Sequence, residues 1–556
     1  MRRPTCSSCA QRGETCAYSR SRRKPGPPKS SGRSKAASST LTRATQSPAR
    51  HEGIRGVSAE DPATHSTAGP DLATGVPYVP QSSNPYSLID CGISGEEEEY
   101  LLNSYFETLH RAMPLFPTLQ LPKNFGSSPV KESLKFTIVI LTAKLTQFRF
   151  SSGRVCIDDE IDRLLSPSNL LSETTRMPPN LERCQKACIL AFYEYHQFPG
   201  HIACMKIDKL CRLAYWIGLD HLRDPESTGS EAVNFPQMGE IVTDIEEWRL
   251  VWWAIYRLDC YNSESSGMPF QINEAVISTA LVSDQTFKAF PDTQQSSSPI
   301  RLPTDGLDLW RVISSIDTAS PMASVYNLHT LSVTAIRTIC REGRSLAVTR
   351  RPFDPEVLRR LERNLATMRL ALPANFSNPK RNALSGETRE LHQLRLATYL
   401  HFLMAQLLLG YVSCIFSEPG EPWRLAWERL LETCQDITRM AQGWDSSYCI
   451  SSDPTISYIM FTAVIFLDLQ KKSTTATPEL RDDIERCQAV LKLQLEHFSQ
   501  VWTLPRLILL SVQGLLASFR GPFQPIHIRA ILVRCRAPVH PHWLQFLSWV
   551  ENDLQV

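Results

Sequence analysis

Three cysteines near the start of the chain, Cys6, Cys9 and Cys16, stand in a C-x2-C-x6-C spacing and carry the clearest chemistry in the sequence. A C-x2-C turn points two sulfurs the same way, and thiolates are soft ligands suited to tetrahedral Zn2+. Tyr18 follows two residues on, and then a basic run, Arg20, Arg22, Arg23 and Lys24, whose charges suit phosphate contacts or nuclear import. Three thiolates do not close a structural zinc site, which takes four ligand positions.

The remainder of the chain has to position this segment, and its composition says how. Residues 1–55 hold 13 Lys/Arg against 2 Asp/Glu, and the rest of the 556-residue chain holds 46 against 55. A basic arm on a mildly acidic body fits a nucleic-acid partner for the arm alone, although the same charge also fits a solvated tail. Met1-Arg2-Arg3-Pro4 leads into cysteines rather than an apolar run, so no secretory signal is expected. Sixteen scattered cysteines, among them Cys184, Cys188, Cys204, Cys211 and Cys260, read as free thiols of a reducing compartment, cytosol or nucleus. The longest apolar stretches, His401 to Phe416 and Tyr458 to Leu469, fall short of the roughly 18–20 residues of a membrane span and read as buried helices.

From Pro25 to about Gly95 the chain is rich in Ser, Thr, Pro, Gly and Ala, a linker expected to stay disordered because it cannot bury enough apolar surface. Order is expected to begin at the acidic run Glu96 to Glu99, which suits a helix N-terminus. Beyond it the apolar periodicity is helical almost throughout and predicts an all-α body. The pattern predicts helices over Glu97–Arg111, Val130–Phe150, Leu181–Gln197, Gly200–Leu219, Asp244–Ser263, Leu307–Arg341, Pro355–Leu372, Thr388–Phe416, Trp423–Gly443, Ile456–Gln470, Pro478–Trp502, Pro505–Phe519 and Ile526–Cys535. Asp158-Asp159-Glu160 reads as a solvated helix start, and Asp284–Asp305 as a looser insertion.

The cysteine segment resembles the second half of the fungal binuclear zinc-cluster (Zn2Cys6) DNA-binding domain, with Cys6, Cys9 and Cys16 matching its fourth, fifth and sixth cysteines. Six thiolates, two of them bridging, supply the eight positions of two tetrahedral zincs in that family. The first three cysteines and the basic helix between them are missing from this sequence. The expectation is a misplaced start that dropped an upstream exon; a natural truncation is the alternative. Three further stretches resemble the middle homology region of the same family, in its order and across roughly residues 97–285. They are Tyr105-Phe106 through His110 to Pro114-Leu115-Phe116-Pro117, Gly200 through Gly218-Leu219-Asp220-His221, and Glu246-Glu247-Trp248-Arg249 through Trp252-Trp253, Arg257-Leu258-Asp259, Gly267-Met268-Pro269 and Ile272. The implied organisation is the cluster half with its basic segment (1–24), the linker (25–95), the middle homology region (96–290) and a helical continuation of the regulatory domain (291–556).

The physical reading of these body residues is structural. Trp252, Trp253, Tyr256 and Cys260 fall at helical spacing and should form a buried aromatic face, while Gly267 and Pro269 should end the helix and set a turn. Arg249 and Arg257 lie near acidic neighbours such as Glu246 and Asp259 on the same helix, so i,i+3 or i,i+4 pairs are available. Cys184, Cys188, His196 and His201 read as core thiols and interfacial imidazoles rather than a metal site. Phosphate-binding, dinucleotide, serine-hydrolase and H-E-x-x-H zinc motifs are absent, and no enzyme is expected.

By resemblance, the chain is a nuclear, pathway-specific transcriptional regulator acting on RNA polymerase II genes, with a secondary-metabolite gene cluster preferred over a catabolic pathway as its target. The implied partners are DNA at CGG-type half-sites, a second copy in a homodimer, transcriptional coactivators and a small-molecule inducer, with Zn2+ as cofactor once the missing cysteines are supplied; no membrane partner is expected. Arg20, Arg22, Arg23 and Lys24 would add phosphate affinity. Two rival readings remain: a truncated homologue that works through protein partners, and a zinc enzyme using the three cysteines with an open coordination position.

Overall fold

The computed structural model describes residue 88 and residues 91–118, 128–166, 180–222, 245–288, 298–348, 354–518 and 520–534. Cys6, Cys9, Cys16, Arg20, Arg22, Arg23, Lys24 and nearly all of the linker lie outside the described residues.

Several of the helices start at a residue whose side chain caps the first turn. Ser94 opens α1 (Gly95–Glu107) with a reciprocal capping box: its hydroxyl accepts from Glu97 N at 3.3 Å, and the Glu97 carboxylate accepts from Ser94 N at 3.0 Å. The second Glu97 oxygen accepts from Ser151 N at 2.7 Å, and these backbone donors hold the carboxyl at about 2. After the short α2 (Leu109–Ala112), Ser128 caps α3 (Pro129–Leu145), Asn180 caps α5 (Leu181–Gln197), Asp354 caps α10 (Pro355–Ala371) and Thr388 caps α11 (Arg389–Phe416). The acidic stretch after Cys156 forms α4 (Ile157–Leu165). Gly218, at φ 86, ends α6 (His201–Ile217) in the left-handed conformation that favours glycine. The others are α7 (Ile245–Ser266), α8 (Leu309–Ser315), α9 (Pro321–Val348), α12 (Glu421–Gln442), α13 (Ile456–Lys471), α14 (Pro478–Ser499), α15 (Thr503–Ser518) and α16 (Pro525–Arg534).

The body is all-α: no strand occurs among the described residues, and only an isolated parallel bridge joins Ser473 to Phe523. One expected helix is in fact two. The pattern over Leu307–Arg341 breaks between Ser315 and Pro321, because proline has no N–H for a helical bond and its ring clashes with the preceding turn; it instead begins α9.

A single contiguous apolar core runs from Leu88 to Leu532 and crosses residue 290 without interruption. Leu88 and Ile93, within the expected linker, already pack into it. The most extensive helix pair is α9 with α11, and α7 packs on α5, α6 and α9. From Trp248 to Ser266, α7 is buried on every side, not on one aromatic face. By length and composition α11 could cross a membrane, contrary to the expectation that no stretch reaches that length, yet 72% of its apolar window is buried inside the bundle. Arg395 on that helix is also enclosed, held by Glu387 at 2.7 Å and by the carbonyls of Phe376 and Asn378.

Candidate functional site

The residues singled out on α7 lead to a buried ionic clamp. Trp252, Trp253 and Tyr256 are fully enclosed, and Trp253 Nε1 donates to Ala280 O at 2.9 Å. The helix stops at Ser266, and Gly267 follows at φ 72 with its N–H on Ser263 O. The turn through Pro269 to Ile272 then folds back onto α7. Asp259 receives the backbone N–H groups of Gln271 and Ile272, both at 3.0 Å, and pairs with Arg337 of α9 at 2.8 Å. Arg337 also reaches Glu274 at 2.7 Å and Ile272 O at 2.7 Å, and its guanidinium lies between the rings of Tyr256 and Phe270 at 4.4 and 4.3 Å. Burial opposes this charge, but Tyr256, Asp259 and Glu274 more than offset it and raise the Arg337 pKa. Every strong donor of the guanidinium therefore meets an acceptor or a ring face, as a structural clamp requires.

Arg249 and Arg257 part company. Arg249 pairs with Glu246 on its own helix, as the spacing suggests. Arg257 does not pair with Asp259, because residues two apart project to different sides of a helix. It is only 4% exposed, its guanidinium sits 4.7 Å over the Tyr326 ring, and its hydrogen bond to Tyr326 Oη is long, at 3.4 Å. Among the described residues no carboxylate lies within ion-pair distance of it.

Arg257 borders a cavity of about 40 Å³, whose polar lining also includes Arg111, His329, Thr398, Ser452 and Asp453. Buried titratable groups crowd around it. His329 Nε2 is 2.9 Å from Tyr261 Oη, and its ring lies 4.4 Å from that of His401. Burial, then His401 and Arg257, hold His329 well below the usual imidazole range, and burial likewise lowers His401. Asp453 Oδ1 accepts from Thr455 N at 3.0 Å and Thr455 Oγ1 at 2.7 Å, and lies 3.8 Å from His196 Nε2. His196 contacts Phe192 O through Nδ1 at 2.9 Å, its Nε2 has no hydrogen-bond partner among the described residues, and burial lowers its pKa to about 4. Phe287, another wall residue, has φ 71, a left-handed conformation costly for a bulky side chain.

On the far side of Tyr261 and His401 a smaller void of about 10 Å³ has room for about one water. Glu264 faces it, buried, with Oε1 unpartnered among the described residues; burial raises its carboxyl to about 8, against a smaller opposing pull from Arg344.

Among the described residues no group of three or more His, Cys, Asp or Glu is placed to hold a metal ion. Cys184, Cys188 and His196 are buried, whereas His201 is exposed. Sequence reading missed Arg337, His329, His401 and Asp453. The available signal was polar residues at otherwise apolar helical positions, which marks buried polar groups without revealing their partners.

No family model matches the chain, and no curated protein or solved structure is similar to it. The resemblance to the zinc-cluster family thus rests on the quoted residues.

Proposed function

We propose that this chain is a sequence-specific transcriptional regulator of the fungal zinc-cluster kind, acting in the nucleus on a pathway-specific set of genes, in preference those of a secondary-metabolite cluster. The observation that carries the reading is an ordered series in the sequence: Cys6, Cys9 and Cys16 with the basic run after them, a polar linker, then the three stretches ending at Gly267-Met268-Pro269. An all-α body containing those stretches suits a regulatory role, with DNA contact left to the basic arm. Cys6, Cys9 and Cys16 supply three of the six thiolates of such a cluster, so by themselves they do not hold its two zincs.

Chromatin occupancy of the tagged protein, expressed from its own locus, tests the reading. Occupancy should concentrate at promoters bearing CGG repeats and disappear in the Cys6→Ala/Cys9→Ala variant. Absence of promoter enrichment, or occupancy indifferent to the cysteines, would overturn it in favour of a protein that works through partners.

A further inference from the structure

We propose that the cavity between α7, α9 and α11 binds a small carboxylate that also carries a hydrogen-bond donor, such as an α-hydroxy or α-amino acid. The proposal stands whether or not the chain binds DNA.

Arg257 is the buried charge that needs a partner. A buried guanidinium is costly unless it is paired and hydrogen-bonded. Here one ring face and one long hydrogen bond to Tyr326 leave most of its five N–H donors without a protein acceptor among the described residues. Arg257 also lines a cavity. A carboxylate supplies what is missing, since its two oxygens match the guanidinium fork. Arg111, half-buried at the same cavity, adds a second positive charge.

Asp453 narrows the chemistry. It is the one carboxylate lining this cavity among the described residues, and a simple anion would meet its repulsion. A ligand with a hydroxyl or ammonium beside its carboxylate turns that repulsion into a contact. The surroundings of Asp453 are short of protons. His196 and His401 each contact a main-chain carbonyl through Nδ1, at 2.9 and 2.8 Å. Neutral rings donating there have only lone pairs at Nε2. The Thr455 hydroxyl has one proton to give, yet lies within reach of both Asp453 and His401 Nε2. A ligand donor would relieve that shortage.

Size sets the class. About 40 Å³, at roughly 10–15 Å³ per water-sized centre, corresponds to about three or four waters. A carboxylate and one or two further heavy atoms fit within it. A third, such as the methyl group of lactate or alanine, would have to extend towards the half-buried Met322 and Leu394.

The test is calorimetric titration of the purified full chain with lactate and with alanine, using propionate as the analogue without a donor and ethanolamine as the one without a carboxylate. Saturable binding of lactate or alanine is expected, with propionate and ethanolamine each about tenfold weaker or worse, the discrimination of one lost charge-assisted hydrogen bond. Arg257→Gln should abolish binding and Arg111→Gln should weaken it about tenfold. Should Arg257→Gln fail to fold by circular dichroism, Arg111→Gln and Asp453→Asn decide. Binding of neither lactate nor alanine would overturn the proposal, as would binding unchanged in the folded variants.

Discussion

Arg337 and Arg257 are both buried arginines on neighbouring core helices, α9 and α7, yet their surroundings differ in kind. Arg337 has two carboxylates, a carbonyl and two ring faces, and it ties the Gly267–Ile272 turn to the helix before it. Arg257 has one ring and one long hydrogen bond, and it borders a cavity. The first is a charge whose desolvation is offset inside the protein. The second is a charge whose compensation has been left to something outside the fold. Burial alone would class the two together; a census of acceptors separates them.

Removing the satisfied arginine should have the largest effect. Arg337→Met leaves Asp259 without its cation in a fully buried position and Glu274 with Arg341 alone, and should cost about 3–5 kcal/mol. Denaturant or thermal unfolding would register this as a large fall in midpoint or a failure to fold.

A smaller effect, dependent on pH, is expected at Glu264. Its folded pKa of about 8 lies above the ordinary value of 4.5, so the folded state holds the proton more tightly. That stabilisation is complete below about pH 4.5 and is lost as pH rises through about 8. The groups facing Glu264 are Arg344, Cys340, Cys260 and the hydroxyls of Tyr195, Tyr261 and Tyr458. Glu264→Gln should therefore raise the melting temperature relative to the parent chain at pH 9 and change it little at pH 5. Equal shifts at both pH values would contradict an enclosed, protonated carboxyl.

The smallest stability effect is expected at Arg257. Arg257→Gln removes a buried charge that has no buried counter-ion among the described residues, so stability should move by only about 1 kcal/mol in either direction. A loss as large as that of Arg337→Met would mean that Arg257 belongs to the scaffold, and the contrast between the two would collapse.

Much of the helical plan was legible residue by residue. Leu181–Gln197 begins after Asn180 and ends before Phe198-Pro199-Gly200, so cap and breaker mark both ends in the sequence itself. The expected Leu307–Arg341 helix failed at Pro321, where apolar spacing continues across a residue that cannot carry the helical hydrogen bond. Trp252, Trp253 and Tyr256 were readable as core because large aromatics at helical spacing are seldom left in water. The partners of Arg257 and Asp259 were not readable, because proximity along the chain says little about which helix will lie opposite.

Caps, breakers and apolar periodicity act over a few residues, and so the order of helices and the all-α class could be deduced from the chain as written. Partner choice acts over distances the pattern does not encode. Asp259 meets Arg337, 78 residues away, and the hydroxyl of Thr455 meets His401 across 54 residues. Only the packing of α7 against α9, and α9 against α11, turned one arginine into a clamp and left its neighbour facing a cavity. Charge compensation in a low-dielectric interior depends on contacts of a few ångströms, and those come into being when helices distant in sequence are brought together.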